Sequence, residues 1–241
     1  MPSNKKLLQA AAGNAGESVY VDDVFSTYVY EGTGDTSFGA GDGSAQTITN
    51  GIDLDGEGGL VWIKMRTQAE SNVLFDTERG VLKRLKSDSN TSEQSLSGSL
   101  TAFNNNGFTL GVVPISNQGN EDLASWTFRK AEKFFDVVTY TGNGASGREI
   151  AHSLNGTVGS VMIKVTSTTS NWFVWHRSLN QNGLLSLNLT NAVSADGVIT
   201  ASSDTTVTLE NWLNSNGKEY VMYLFASDAG GFGADGSESV V

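Results

Sequence analysis

The apolar positions of this chain fall into short runs rich in β-branched and aromatic residues, with polar turns between them. The clearest runs are residues 61–65, 161–165, 171–176 and 219–225. Turns rich in glycine or asparagine lie at residues 41–43, 104–107, 117–120, 180–183 and 214–217. Short runs between such turns are typical of strands joined by hairpins. The pattern therefore predicts an all-β chain made of antiparallel β-sandwiches of the jelly-roll type.

Four landmarks recur in the same order in the two halves of the chain. They are a tyrosine before a glycine turn, a Gly-x-Val-x-Ile-Lys run, a Thr-Leu pair and a run that ends in phenylalanine. The matching residues are Tyr30 and Tyr140, Lys64 and Lys164, Leu110 and Leu209, and Phe128 and Phe225, which are 110, 100, 99 and 97 positions apart. This repeat predicts two tandem β-sandwich modules, over residues 26–135 and 136–241, each of the ordinary size for that fold.

Residues 1–25 precede the first module and are predicted to form an N-terminal docking arm. Residues 4–12 suit a short helix, with Asn4 as its N-cap and Gly13 as its stop, and residues 17–25 suit an extended segment. The residues expected to dock onto neighbouring protein subunits are Lys5, Leu7, Leu8, Val19, Tyr20, Val21, Val24 and Phe25. The alternative is that residues 17–25 form a strand that completes the first sheet. The apolar part of the arm is short and interrupted by Gln9, so no cleaved signal peptide is expected.

Composition narrows the range of partners. The net charge is −11 and the pI is about 4.5, which argues against binding to nucleic acid or to an anionic membrane surface. Cysteine is absent, which excludes disulfides, thiolate metal sites and a cysteine nucleophile. No apolar run reaches the roughly 18–20 residues that a membrane-spanning helix needs. We expect no membrane insertion.

The sequence contains no convincing motif for catalysis or for binding a cofactor. Residues 142–147 match the Gly-x-Gly-x-x-Gly fingerprint, but no helix is predicted to follow, so we interpret them as a turn. The chain has two histidines, too few for a histidine metal site, and residues 53–57 lack the length of a calcium loop. Asp76 and Glu78 with Arg79 could be an acid pair, although an exposed ion pair at a strand end is favoured. No catalytic residue, cofactor or metal is predicted, and a surface Ca²⁺ between glycine-rich turns stays open.

One predicted strand concentrates aromatic and hydrogen-bonding side chains: Trp172, Trp175, His176 and Arg177. Alternation along a strand places Trp172 and His176 on one face and Trp175 and Arg177 on the other. One face must belong to the core, and a core position is the favoured reading for the tryptophans. The other face is a candidate surface for a glycan or a protein partner.

Several runs resemble the repeated domain of tailed-bacteriophage virion proteins, often described as tail-fibre proteins of marine phages. The runs are GLVWIK at 59–64, LFDTERG at 74–80, NGFTLG at 106–111, WTFRKA at 126–131 and FFDVVTYTGNG at 134–144. The stretches at 5–15 and 19–27 are similar to the N-terminus of such proteins. The resemblance implies laminin-G- or concanavalin-like modules and a place on the virion in several copies. It supplies no catalytic or ligand residues.

Together these observations predict a non-enzymatic virion protein, the tail-attachment portion of a tail fibre, made in the bacterial cytoplasm without a signal peptide. Its expected partners are a tail adaptor or nozzle protein and neighbouring fibre subunits, and a homotrimer is expected because fibres are usually trimeric. The alternatives are a carbohydrate-binding module for host-surface glycan and a capsid-attached fibre or decoration protein. A glycan-degrading enzyme would require Asp76 and Glu78 to line one cleft.

Overall fold

The computed structural model describes residues 18–179, 183–227 and 230–239, and the helix predicted over residues 4–12 lies outside them. The helical elements are short: α1 (Val21–Val24), α2 (Pro114–Asn117) and the 3₁₀ turn η1 (Asn211–Asn214). The first half contains β1 (Phe25–Glu31), β2 (Gln46–Thr49), β3 (Gly59–Met65), β4 (Val73–Asp76), β5 (Lys83–Lys86), β6 (Gln94–Ser95), β7 (Leu100–Asn104), β8 (Gly107–Leu110) and β9 (Asp122–Arg129). The second half contains β10 (Phe135–Thr141), β11 (Glu149–Ala151), β12 (Val158–Val165), β13 (Trp172–His176), β14 (Ile199–Ser202), β15 (Thr206–Leu209) and β16 (Glu219–Ala226), followed by the hairpin β17 (Gly230–Phe232) and β18 (Glu238–Ser239).

Each half has a large central sheet and a small outer sheet. The first central sheet has the order β1-β9-β3-β4-β5-β6, and the first outer sheet has the order β2-β8-β7. The second central sheet is β10-β16-β12-β13, and the second outer sheet is β11-β15-β14. Every pairing between these strands is antiparallel. The prediction of an all-β, antiparallel sandwich fold is confirmed.

The two halves repeat the same strand order. In each, the first strand pairs with the last, the last with the third and the third with the fourth. The equivalence of the two halves continues beyond the fourth strand. Leu74 pairs with Leu85 in the first half, and the residues 100 positions later, Val174 and Leu185, pair in the second half. In the same way Arg84 pairs with Gln94, and Leu184 pairs with Ser194. Residues 86–93 and 186–193 are therefore equivalent segments.

The hydrophobic cores show that the four sheets are stacked. One core lies between the first central and first outer sheets, and includes Ile63, Phe75 and Phe108. The other core fills the second half and also takes in Leu60 and Leu74 from the opposite face of the first central sheet. The order of layers is outer, central, central, outer. Both central sheets are thus covered on two sides, which explains why runs such as residues 220–224 are buried without alternation.

The two central sheets meet through equivalent faces. Phe128 and Phe225, which are equivalent in the repeat, touch each other with ring centroids 5.5 Å apart. Phe135, the equivalent of Phe25, contacts Phe128 at 5.6 Å and Phe225 at 5.1 Å. An interface that uses the same face of both partners is self-complementary and closes on itself. The two halves therefore form a closed pair, and this contact cannot add a further module in line.

The segment before β1 is built into the fold. Val21–Val24 form a helical turn, so the predicted extended conformation of residues 17–25 is wrong there. The Asp23 carboxylate accepts a hydrogen bond from the Tyr20 N–H at 2.9 Å, and the Tyr20 carbonyl accepts one from the Asp23 N–H at 2.9 Å. Tyr20 and Val24 are buried, and Val24 belongs to the core that the two halves share. Burial of these side chains outweighs the β preference of the valines.

Candidate functional site

A buried ion pair lies where the first half faces the second. Asp76 is the last residue of β4 and is fully buried on the face that contacts the second half. Arg79 follows in the turn, where its Nε donates to Asp76 Oδ2 at 2.6 Å and its backbone N–H donates to Oδ1 at 2.9 Å. The Tyr223 hydroxyl, from β16, donates to the same Oδ2 at 2.7 Å. The carboxylate therefore connects the two halves.

The network continues towards the surface through Glu93. Arg79 Nη1 lies 3.3 Å from Glu93 Oε2, and Lys83 Nζ lies 3.0 Å from Glu93 Oε1. The Arg79 side chain is 4% exposed, so its charge is largely shielded from water. Burial acts to lower the pKa of Arg79, but the carboxylate of Asp76 and the groups of Tyr223 and Glu93 raise it above its ordinary value. Arg79 stays charged, and burial raises the pKa of Tyr223 well above its ordinary value, which keeps the hydroxyl a donor.

This geometry corrects the sequence interpretation of Asp76, Glu78 and Arg79. The strand ends at Asp76, so alternation does not extend to Glu78, and the ion pair is buried where an exposed one was expected. Glu78 instead lies 2.8 Å from Lys130 Nζ, which is also 3.2 Å from Asp136. Because Asp76 Oδ2 is occupied by two donors and shielded from solvent, the arrangement is suited to holding the two halves in register.

Lys164 is a second buried charge at the same interface. Its Nζ donates to the Val165 carbonyl at 3.0 Å and to the Asn90 carbonyl of the first half at 3.5 Å. The residue is fully buried, and burial lowers the pKa of Lys164 to about 8. Its equivalent, Lys64, is only half-buried and donates to the Glu70 carbonyl at 2.5 Å. The two lysines of the repeat thus have different surroundings.

A polar cleft of about 410 Å³ opens beside this network. Its lining residues are Arg79, Lys83, Glu93, Thr139, Tyr140, Thr141, Thr166, Glu219 and Tyr220. The charged side chains from the first half are paired with each other, and Thr139, Thr141 and Glu219 are exposed. The cleft thus offers hydroxyl and carboxylate groups to a polar ligand. Across the described residues, no cluster of three or more histidine, aspartate or glutamate side chains is placed to hold a metal ion.

The fold does not bring Trp172, Trp175, His176 and Arg177 together on one exposed surface. Trp172 is fully buried, stacks on Tyr223 at 6.1 Å and donates its Nε1–H to the Lys86 carbonyl at 2.8 Å. The favoured core position of Trp172 is therefore correct, and the alternative of a partner surface is wrong for this residue. Trp175 is half-buried in the other core face of the same sheet. Only His176 and Arg177 are exposed. The expectation of one outward face fails because this central sheet is covered on both sides.

An aromatic pair that the sequence analysis did not single out lies elsewhere on the second half. Trp212, in η1, is 39% exposed and meets Phe173 edge-on at 4.6 Å. Its Nε1–H donates to the Asp196 carbonyl at 3.3 Å. The local sequence does not indicate this site, because residues 211–214 have no strand pattern and Trp212 and Leu213 form only a two-residue apolar run between polar residues.

The predicted docking residues divide into two groups. Lys5, Leu7 and Leu8 lie outside the described residues. Val19, Tyr20, Val21, Val24 and Phe25 lie at the junction of the two halves, where the Val19 carbonyl accepts the Gly233 N–H at 2.8 Å. Phe25 contacts Phe128 at 5.0 Å. The side chains of Tyr20 and Val24 are buried inside their own chain and are not available to another subunit.

The chain belongs to the family described as "Domain of unknown function (DUF7483)", whose model matches residues 23–239. The match runs across both halves, so the closed pair lies within a single family unit. No curated protein and no solved structure matches the chain. Among the residues that the structure describes, no helix has the length and apolarity to cross a membrane.

We expect the buried carboxylate to contribute strongly to stability. Asp76→Asn removes the nearer of the two carboxylates that pair with the buried Arg79, leaving Glu93 at 3.3 Å, and is expected to lower the free energy of unfolding by about 3 kcal/mol. Tyr223→Phe leaves one acceptor position unfilled and is expected to cost about 1–3 kcal/mol. The matched control is Glu78→Gln, at an exposed ion pair, with an expected cost below about 1 kcal/mol. Urea unfolding at pH 7 measures all three, and equal effects of Asp76→Asn and Glu78→Gln would contradict the assignment.

Lys164 gives the protein a pH dependence of known sign. Its folded pKa of about 8 lies below the ordinary value of 10.5, so the unfolded chain binds more protons between these limits. The contribution of Lys164 to stability therefore rises with pH from about 8 to 10.5. Lys164→Met is expected to stabilise the protein by about 1–2 kcal/mol at pH 7, with the gain shrinking towards pH 10. Unfolding across this pH range tests the point, with the equivalent Lys64→Met as a control, and a gain independent of pH would refute it.

Proposed function

We propose that this chain is a non-enzymatic structural protein of a phage virion and forms the tail-attachment portion of a tail fibre. The observation that carries the proposal is the anchoring of residues 18–25 at the junction of the two halves. Tyr20 and Val24 are buried there, and Phe25 joins the phenylalanine cluster. The resemblance of the sequence to phage virion proteins supplies the location.

A protein that connects a fibre to a tail must transmit mechanical force, and it does so best when its two halves move as one rigid body. The closed pair has this property, because the halves share one hydrophobic core and the Asp76–Tyr223 hydrogen bond crosses between them. Separating the halves would expose Leu60, Leu74 and Phe135 and break the hydrogen bond from Tyr223 to the Asp76 carboxylate, both of which are costly. The chain before Ser18 is thus joined to a stiff unit at a fixed point.

The anchoring changes which residues we assign to docking. Since Tyr20 and Val24 are committed to their own core, the docking role falls to residues 1–17, which include Lys5, Leu7 and Leu8. Residues 18–25 are assigned to holding that segment on the fold. The partners in the proposal are a tail adaptor or nozzle protein and neighbouring copies of the chain.

Two truncations separate docking from folding. Deleting residues 1–17 is expected to leave thermal unfolding unchanged but to abolish incorporation into particles, measured by mass spectrometry of purified virions. Deleting residues 1–25 is expected also to lower the unfolding temperature, because it removes Tyr20 and Val24 from the core. Normal incorporation of the 1–17 deletion would refute the docking role. Recovery of the protein with capsids instead of tails would favour the capsid-decoration alternative.

A carbohydrate-binding role is the second candidate, and the exposed Phe173–Trp212 pair favours it. A half-exposed indole beside hydrogen-bonding groups is a common platform for a sugar ring, and the Asp196 carbonyl holds the indole in place. Trp212→Ala is expected to remove binding on an array of bacterial surface glycans, whereas Phe38→Ala, at another exposed aromatic, is expected to retain it. An array with no wild-type signal would end this candidate.

A further inference from the structure

The interface between the halves is complete on one side only. On the second central sheet, the face near Lys164 is covered by residues 86–93 of the first half. Glu93 N–H donates to the Thr166 carbonyl at 2.9 Å, Ser170 N–H donates to the Asn90 carbonyl at 2.9 Å, and Trp172 Nε1–H donates to the Lys86 carbonyl at 2.8 Å. This segment seals Lys164 and Thr166 from solvent.

The equivalent region of the first central sheet is open. Arg66 and Glu70, the equivalents of Thr166 and Ser170, are both exposed. On the same face lie Thr27, Val29, Lys64 and Trp126, which we call the open half of the sheet. Val29 is 61% exposed, Thr27 is exposed, and Lys64 and Trp126 are half-buried. The open half is continuous with the covered part of the face, because Trp126 pairs with the half-buried Trp62.

The segment that repeat equivalence assigns to this position is apolar. Residues 186–193 are equivalent to residues 86–93, and Leu187, Leu189 and Val193 stand where the first half has Ser87, Ser89 and Glu93. Their exposed fractions are 38%, 42% and 49%. No charged residue occurs between residues 183 and 195, although the chain carries a net charge of −11. We call residues 183–194 the donor segment.

The donor segment is fixed to its own half. The side-chain Oδ1 of Asn188 accepts a hydrogen bond from the Trp172 backbone N–H at 2.9 Å, and its Nδ2 donates to Asn171 Oδ1 at 3.0 Å. The bridges Val174–Leu185 and Leu184–Ser194 hold its two ends. These contacts fix the loop and leave its apolar side chains exposed to solvent, where they could contact a surface on another molecule.

We propose that the donor segment of one copy binds the open half of the first central sheet of a second copy. Leu187, Leu189 and Val193 would cover Val29 and Trp126 beside Lys64, whose equivalent Lys164 is covered by residues 86–93 within the chain. The exposed Val29 beside Trp126, together with the apolar side chains and the lack of charge on the donor segment, fits this occupant. Donor and acceptor are different surfaces, so the contact is head-to-tail and closes into a ring when the rotation allows it. This deepens the homo-oligomer of the proposed function and gives it a geometry.

Sedimentation velocity of the full chain over a wide concentration range tests the contact. The wild type is expected to assemble, whereas Val29→Lys and Leu189→Lys are each expected to weaken assembly at least tenfold. Both positions are exposed, and lysine lowers the net negative charge, so neither misfolding nor general repulsion would explain a loss. Phe38→Lys, at a 66% exposed site outside both surfaces, is the control and is expected to assemble like the wild type.

A mixing experiment distinguishes a head-to-tail contact from a symmetric one. Val29→Lys keeps its donor segment and Leu189→Lys keeps its open half, so an equimolar mixture is expected to form dimers with one intact contact. A wild type that stays monomeric, single variants that assemble normally, or a mixture that stays monomeric would each overturn the proposal. The measurement uses no particles, so its failure is distinguishable from a failure of virion docking.

Discussion

The fold depends on the packing of two equivalent sheet faces against each other. Each half alone would expose one face of its central sheet, with Leu60 and Phe128 on one side and Phe135 and Tyr223 on the other. Pressing the faces together buries both, and it places Phe128 and Phe225 in contact as expected for equivalent residues near a local two-fold axis. The central strands then need apolar residues on both faces, which is the pattern that the sequence carries.

Buried polar groups give this contact its register. Apolar faces alone tolerate sliding, whereas the Asp76 carboxylate is satisfied only when Tyr223 and Arg79 reach it together. Lys164 adds a second constraint through the Asn90 carbonyl. Because removing one partner of a buried pair is far more costly than removing an exposed one, these groups select a single arrangement of the halves. A stiff body with a fixed N-terminal attachment point is what the proposed role in a virion requires.

The two halves are related by an approximate local two-fold symmetry, and they differ in the surfaces that they leave exposed. Both surfaces that we propose for binding lie where the halves differ. The first half seals Lys164 with residues 86–93, while the second half leaves Val29 and Trp126 uncovered and turns Leu187 and Leu189 outward. The two equivalent segments therefore differ, because residues 86–93 make contacts between the halves and residues 186–193 present apolar side chains to solvent. The difference between the halves also leaves Trp212 beside Phe173 at the surface of the second half alone.

The sequence by itself determined the class of structure. Short β-rich runs between glycine and asparagine turns specify strands locally, and the four repeated landmarks, which are 97 to 110 positions apart, reflect a repeated strand order. The sequence favoured a core position for Trp172, but it did not predict the burial of Asp76 or Tyr20, because the interpretation assumed one solvent-facing side for each sheet and an extended arm. Only the tertiary structure decided that the two halves meet face to face and bury these groups. The physical reason is that burial depends on which surfaces meet across more than a hundred residues, and hydrophobic attraction carries no directional signal along the chain.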